Sequence, residues 1–296
     1  MHSDRLISYY FPELGVRAAW ARLELADARL HALSHAPKPA QDWLTQCVCA
    51  AALLTSGIKL NGKLSIQLQS QGALRQIFAE CSDLGYLRGI ARANSQATST
   101  FPTEFSIACA GGSAAITIEH EQGERYQGIV ALAADGLAAT FEEYFNSSEQ
   151  LPTRIVLANG IHNTTGLLVQ RVAQVGGDQT ALDSDGWNRI EQLLLTLKPE
   201  ELTECDEAIL MYRLFHDETY VQTKAQTLTH HCPCSRERVA AMLQCIGHDE
   251  AIAAANESGF AEIQCEFCNA NYQFDRVDIE TLFQPAAVVA GTSAVQ

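Results

Sequence analysis

The clearest pattern of apolar and polar positions lies in the first third of the chain. Over residues 41–54 the apolar positions recur at helical spacing, which predicts a buried helix. Over residues 63–69 apolar and polar positions alternate strictly, which predicts a half-buried strand. The inward face of that strand would carry Leu64, Ile66 and Leu68.

Shorter patterns continue this mixture of strands and helices. Strands are predicted at residues 86–92 and 114–119, and a turn at residues 121–124 lets the second strand form a hairpin with residues 126–132. A helical pattern then ends near Asn146. Because the strands cluster among a few helices without regular alternation, the predicted fold class is α+β.

A second kind of helical pattern follows in the last third of the chain. One apolar stripe covers residues 187–197, Pro199 interrupts it, and a second helical segment continues to Phe215. Acidic residues crowd the first turns of that segment, where the helix dipole favours them. The favoured interpretation is a fixed helical layer on the large domain. The alternative is a helix pair that docks only while the module beyond it is folded.

Length and composition set the domain count. The chain has 296 residues, of which 47% are hydrophobic, so about two packed domains are expected and wholesale disorder is not. We predict a large N-terminal α+β core domain at residues 1–180 and a helical linker at 181–230. A small zinc-binding module is predicted at 231–286 and a flexible tail at 287–296.

Net charge and hydropathy limit the kinds of partner and the location expected for the protein. The formal net charge is −15, which repels phosphate backbones and anionic lipids, so neither nucleic acid nor a membrane is expected as a partner. The N-terminal residues lack a signal-peptide pattern, and the longest apolar run, residues 47–54, is far shorter than the ~20 residues of a spanning helix. We therefore predict a cytoplasmic protein, in a compartment where cysteines are normally reduced.

Two cysteine pairs carry the strongest chemical signal. Cys232 and Cys234 are separated from Cys265 and Cys268 by about thirty residues, a spacing that can bring four sulfurs to one point. Four thiolates around one point are typical of a structural zinc site. One residue, not two, separates the first pair, which departs from an ordinary zinc ribbon. The neighbouring histidines at 230 and 231 are less favoured as ligands because four cysteines are available.

The sequence around the pairs predicts a small fold that needs its metal. Ser235 can cap a helix that ends at Gly247, and the second pair is expected in the turn of a small hairpin. The buried face of the helix is predicted to contain four apolar residues, Val239, Met242, Leu243 and Ile246. A structural zinc stabilises a fold by about 10–16 kcal/mol, more than so small a core supplies, so its removal should unfold the module.

This dependence leaves two interpretations open. Zinc holds its ligands as thiolates, which is the form that oxidants attack. Tetrahedral ligation keeps the sulfur atoms ~4 Å apart. A disulfide needs about 2.05 Å, so metal binding and disulfide formation exclude each other. On spacing alone a purely structural zinc is favoured over a redox switch.

Longer motifs identify a family resemblance. The run from Cys232 to Val239, followed by Cys265-Glu266-Phe267-Cys268-Asn269, closely resembles the C-terminal module of the heat-shock protein 33 family of redox-regulated chaperones. The likeness includes residues 212–218, 143–153 and the opening Asp4-Arg5-Leu6, and it spans almost the whole chain.

The resemblance implies a holdase that needs no ATP and is not an enzyme. It implies that Cys232, Cys234, Cys265 and Cys268 bind one Zn²⁺ per chain in the reduced, inactive protein. Oxidation would form the disulfides Cys232–Cys234 and Cys265–Cys268, release zinc, unfold the module and linker, and favour a homodimer that binds unfolding client proteins. Cys205 and Cys245 are most simply inert thiols, although either could form a further disulfide.

Two other classes of protein remain as alternatives. A zinc-ribbon nucleic-acid-binding protein would need a basic module, whereas residues 231–296 contain three arginines against nine acidic residues. A thiol-disulfide exchange enzyme could use Cys265 and Cys268, but the strand-to-helix context of redox folds is lacking there. Neither a Walker phosphate loop nor a dinucleotide fingerprint is present.

Overall fold

The computed structural model describes residues 4–57, 61–94, 101–172, 183 and 185–284. The chain divides into two compact units, residues 1–231 and residues 232–296. The predicted flexible tail at 287–296 lies outside the described residues, as does the predicted boundary at residue 180. The two units are described separately below.

The first sheet of the first unit has five strands in the order β10-β1-β2-β9-β8, all antiparallel. Its strands are β1 (Arg5–Phe11), β2 (Val16–Leu23), β8 (Thr153–Asn159), β9 (Thr164–Arg171) and β10 (Val221–Thr227). Residues of β2 and β9 are buried almost throughout, because both faces of this sheet are covered. The usual alternation of a strand is therefore missing from their sequences.

The second sheet has six strands in the order β11-β5-β4-β3-β6-β7. Its strands are β3 (Gly62–Gln69), β4 (Leu74–Ser82), β5 (Tyr86–Ala93), β6 (Ser113–His120), β7 (Arg125–Ala131) and β11 (Thr229–His230). Four of them confirm the strands predicted from alternation, including the hairpin of β6 and β7. The inward residues Leu64, Ile66 and Leu68 are buried as predicted.

One helix forms the centre of the main hydrophobic core. The predicted buried helix is confirmed as α2 (Lys38–Thr55), which packs against strands of both sheets. The shorter helices are α1 (Leu25–Leu33), α3 (Phe105–Ala108) and α4 (Leu137–Tyr144), which continues into a π-helical turn at Phe145–Glu149. Within the described ranges, no helix combines the length and apolar character needed to cross a membrane.

The helices predicted in the linker, residues 181–230, pack on the outer face of the first sheet. They are called the connector helices below. They are α5 (Gly186–Leu195), α6 (Pro199–Glu204) and α7 (Glu207–Phe215). Their apolar residues share a core with Phe11 and Trp20, so the connector helices form a layer of the first unit in this structure. The single second helix predicted over this region is wrong, because the backbone of Cys205 and Asp206 is extended and divides it in two.

The second unit is a small α+β fold. It contains α8 (Arg236–Ile246), α9 (His248–Ser258), β12 (Phe260–Gln264), β13 (Asn271–Asp275) and α10 (Arg276–Phe283). Strands β12 and β13 form an antiparallel hairpin. The α+β class predicted for the chain is confirmed by both units.

A close contact between β7 and α4 fixes the end of the second sheet. A Cβ atom added to Gly128 would lie 2.3 Å from Cε2 of Tyr144, whose ring is 2% exposed. The Tyr144 hydroxyl is 2.8 Å from Oε1 of Glu149, to which it donates a hydrogen bond. The ring therefore packs directly on the strand backbone, and only glycine leaves room for it.

We expect Gly128→Ala to lower the free energy of unfolding of the first unit by about 1–3 kcal/mol, because the added methyl group overpacks a rigid buried ring. The measurement is urea denaturation followed by tryptophan fluorescence, since all three tryptophans lie in the first unit. The double variant with Tyr144→Leu should lose less than the sum of the two single losses. Strictly additive losses would show that the ring and residue 128 do not compete for space.

Candidate metal centre

The first cysteine pair precedes a capped helix. Cys232 and Cys234 lie in an extended segment that leads into α8. The side chain of Ser235 accepts a hydrogen bond from the backbone N–H of Arg238, at 3.3 Å, and helix α8 ends at Gly247, as predicted. The cap fixes where the helix begins, so the two sulfurs stay just outside its N-terminus.

The second pair lies in the turn between β12 and β13, which confirms the predicted hairpin. The backbone N–H of Cys265 donates to the carbonyl of Ala270 at 2.8 Å. The N–H of Asn269 donates to the carbonyl of Cys265, also at 2.8 Å, and Asn269 has a φ of 56°. Asparagine tolerates this left-handed conformation better than most residues, which lets the chain turn back within the Cys265–Asn269 loop.

The four predicted cysteines converge on one point. Their sulfur atoms all lie within 4.8 Å of one another. The Sγ of Cys232 is 3.7 Å from that of Cys265, and the Sγ of Cys234 is 3.3 Å from that of Cys268. Sulfurs around one tetrahedral zinc lie ~3.8 Å apart, given Zn–S bonds of ~2.3 Å. The donor set and its spacing can therefore hold one metal ion.

Three thiols of this cluster have shifted pKa values, and the shifts differ in direction. Burial raises the pKa of Cys232, and burial together with hydrogen bonds to the other thiols raises the pKa of Cys268 to about 12. Burial also opposes ionisation of Cys234, but hydrogen bonds from the Tyr272 hydroxyl and the neighbouring thiols outweigh it and lower its pKa to about 7. Cys234 therefore ionises more easily than Cys232 and Cys268.

Tyr272 is a neighbour of the cluster that the cysteine spacing does not predict. Its hydroxyl donates to the Sγ of Cys234 at 3.1 Å, and this bond raises the pKa of Tyr272 to about 12. The alternation of β13 placed this side chain on one face of the strand. Its contact with a sulfur 38 residues earlier in the chain has no short-range signal.

Arg236 links α8 to the hairpin and to α10. Its guanidinium donates to the carbonyl of Gln273 at 2.6 Å and to Oδ2 of Asp278 at 2.7 Å. The same group lies 4.1 Å from the centre of the Phe274 ring, which is buried. Because Arg236 is two residues after Cys234, these contacts hold the helix that follows the first pair against the strand that follows the second.

The core beneath the cluster is small. Its buried residues are Val239, Leu243, Ala251, Ala255, Ala261, Phe274 and Ile279. The predicted buried face of α8 is only half right, because Met242 and Ile246 are 44% and 52% exposed. Val239 and Leu243 are the two residues of that predicted face that pack into the core.

The remaining cysteines are not part of the cluster. Cys47, Cys49, Cys81 and Cys109 are buried in the first unit, and burial raises the pKa of each thiol. Cys205 is partly buried and accepts a hydrogen bond from Nη1 of Arg213 at 3.4 Å, whereas Cys245 is exposed. In the part of the chain that the structure describes, the group that could hold a metal ion contains four cysteines and neither His230 nor His231.

Comparisons with known proteins agree with this architecture. The family model described as Hsp33 protein matches residues 4–275. The 33 kDa chaperonin of Shewanella woodyi is 37% identical over 284 residues, with 96% of each chain covered. That of Chromobacterium violaceum is 33% identical over 295 residues, covering 99% of this chain and 98% of the relative.

A solved structure shares the fold. The crystal structure of the 33 kDa chaperonin (heat shock protein 33 homolog) of Thermotoga maritima has a TM-score of 0.81 to this chain. The alignment covers 95% of this chain and 98% of that one, at 19% sequence identity.

We expect Arg236→Lys to loosen the second unit by about 1–2 kcal/mol, because lysine cannot make the paired contacts with Gln273 and Asp278 while stacking on Phe274. Hydrogen exchange of the β12 and β13 amides should quicken ~5–30-fold. Arg238→Lys is the matched control, since Arg238 is exposed on the same helix. Equal exchange rates in the two variants would contradict the role given to Arg236.

Proposed function

The chain belongs to the Hsp33 family, and from this premise we propose that it is a redox-regulated holdase chaperone that works without ATP. The observation that carries the proposal is the convergence of four cysteine sulfurs over a core of seven buried residues, three of them alanines. Such a core stabilises a fold only weakly. The state of the sulfurs therefore decides whether the second unit is folded.

In the reduced protein we assign one Zn²⁺ per chain to Cys232, Cys234, Cys265 and Cys268. When bound, zinc would keep the four sulfurs as thiolates and stabilise the fold by about 10–16 kcal/mol. The low pKa of Cys234 favours the first step of ligation, because a thiolate and not a thiol is the ligand. Tyr272 donates to the same sulfur and helps to stabilise its negative charge.

Oxidation removes the ligands. We assign the disulfides to Cys232–Cys234 and Cys265–Cys268, the pairs that are close in sequence. Each pair of thiolates gives up two electrons to one H₂O₂, which takes up two protons and leaves as two water molecules, while one S–S bond forms. A sulfur bonded to its partner at about 2.05 Å has no thiolate charge left for a metal. The second unit then loses its main source of stability.

The unfolded segment and the surfaces it frees would bind unfolding client proteins and favour a homodimer. The proposed partners include neither nucleic acid nor membrane, in agreement with the net charge of −15. The proposed location is the cytoplasm, where thiols are kept reduced until oxidative stress. The protein acts stoichiometrically, so no catalytic turnover is expected.

Metal removal tests the structural half of the proposal. The reduced protein should contain one zinc per chain, and removing it with a strong chelator should abolish amide protection throughout residues 232–284. Trp187 lies on α5, so a change in tryptophan fluorescence would report that the linker helices unfold together with the second unit. A second unit that keeps its protected amides without zinc would disprove the dependence.

Aggregation assays test the switch. Peroxide-treated protein should suppress the light scattering of a thermally unfolding client at near-equimolar ratio, and reduced protein should not. Cys245→Ser is the matched control and should keep the full response, since Cys245 is exposed and outside the cluster. Equal suppression by both redox states would leave a chaperone without a switch, and catalytic reduction of a disulfide substrate would favour an exchange enzyme.

A further inference from the structure

The open edges of the two sheets in the first unit are not equally protected. An edge strand exposes unpaired backbone groups and readily pairs with another strand unless something blocks it. Strand β11 is two residues long and pairs with Tyr86 and Leu87, so the rest of β5 is also an edge among the described residues, and it carries the charged residues Arg88 and Arg92. Strand β10 carries Lys224 at its centre and has an irregular register with β1 at Ser8 and Tyr9. Both features are common means of protecting an edge.

The edge at β8 is closed by a side chain. The backbone N–H of Ile155 donates to Oε1 of Glu142 at 2.7 Å, and Nη1 of Arg154 donates to Oε2 of the same carboxylate at 2.9 Å. Glu142 belongs to α4, so this helix supplies an acceptor that another strand would otherwise provide. Strand β8 is therefore already engaged.

Strand β7 lacks all of these protections. It has seven residues, pairs with β6 in an unbroken register, and carries one charged residue, Arg125, at its end. Helix α4 covers its face and not its edge, because the Tyr144 ring lies where a Cβ of Gly128 would project. Among the described residues, the backbone hydrogen bonds of β7 run to β6 alone. Its outer edge is ready to accept one more strand.

The exposed side chains of β7 favour an apolar occupant. Ile129 is 67% exposed and Tyr126 is 48% exposed. Adjacent positions on an added strand would lie beside them, where aromatic and β-branched residues interact well. Tyr126 and Ile129 are three positions apart and lie on opposite faces of the sheet, so an extended segment with apolar residues on both faces fits this edge.

Charge distinguishes between possible occupants. Four acidic residues lie around the strand: Glu119 at the end of β6, which is paired with Lys63 and Arg125, Glu121 and Glu124 in the hairpin turn, and Glu149 beside Tyr126. A second copy of this chain would bring the same carboxylates together. A segment with lysine or arginine next to its apolar run would neutralise them.

We propose that the outer edge of β7 binds an extended apolar segment with basic flanks from an unfolding protein, which adds to the sheet as a further strand. This inference rests on the proposed chaperone function and names one contact of that function. The edge is open in a structure whose ten cysteines are all free thiols. It therefore binds in the reduced state too, and oxidation adds other surfaces to it.

A peptide tests the edge directly. The probe is a fluorescein-labelled peptide with about seven alternating valine and threonine residues, a typical strand length, between paired lysines. Fluorescence anisotropy should give the same affinity for reduced and oxidised protein. An analogue N-methylated along one edge should bind at least about tenfold more weakly, because it lacks the donors that pair with β7. An analogue with glutamates in place of the lysines should also bind more weakly.

The protein variants are Ile129→Lys and the control Ile161→Lys. Ile161 is 92% exposed and lies in the turn between β8 and β9. Ile129→Lys should weaken peptide binding about tenfold and lower the suppression of aggregation by oxidised protein. Ile161→Lys should change neither the peptide affinity nor the suppression of aggregation. General hydrophobic adhesion predicts the opposite order, since Ile161 is the more exposed side chain.

The outcomes separate the two proposals. If oxidised wild-type protein suppresses aggregation and Ile129→Lys does so equally, with unchanged peptide affinity, the β7 site is wrong and the chaperone function stands. If wild-type protein fails to suppress aggregation, the chaperone function is wrong, and peptide binding alone decides whether β7 accepts a strand. Equal binding of the N-methylated peptide overturns strand addition in either case.

Discussion

The second unit depends on one incompatibility of four sulfur atoms. At separations between 3.3 and 4.8 Å they can share one metal ion, whereas a disulfide needs two of them about 2.05 Å apart. The fold around them has three short helices, one hairpin and a core rich in alanine. Because that core contributes little, the proposed zinc would account for most of the stability, and under the proposed function chemistry at the sulfurs would become a change of fold.

The main core of the first unit keeps its cysteines away from solvent. Its centre is α2, which is covered on both sides by a sheet, and Cys47 and Cys49 lie on that helix with no exposed surface. Burial raises the pKa of both thiols, so the reactive thiolate form is scarce there. Oxidants therefore meet ten cysteines of very different reactivity, although all ten are the same residue type.

Much of this arrangement could be predicted from local sequence patterns. The metal centre was predictable because its ligands lie in two short segments, and β3 and β6 because one face of their sheet is open to solvent. Strands β2 and β9 were not, since helices cover both faces of the first sheet and remove the alternation. The links through Arg236 and Tyr272 depend on folding partners about forty residues away, for which a single sequence has no local signal.

The open edge of β7 explains how a switch in one unit can control binding without creating the whole binding surface. A single added strand contributes a few hydrogen bonds and apolar contacts, which is a weak interaction by itself. A second contact on the same client acts at a high effective concentration and can strengthen binding by a factor of ~10²–10⁴. Unfolding of the second unit need only supply that second contact. Under the two proposals, a weak permanent site and a conditional one would together give strong binding only after oxidation, and the reduced protein would bind clients only weakly.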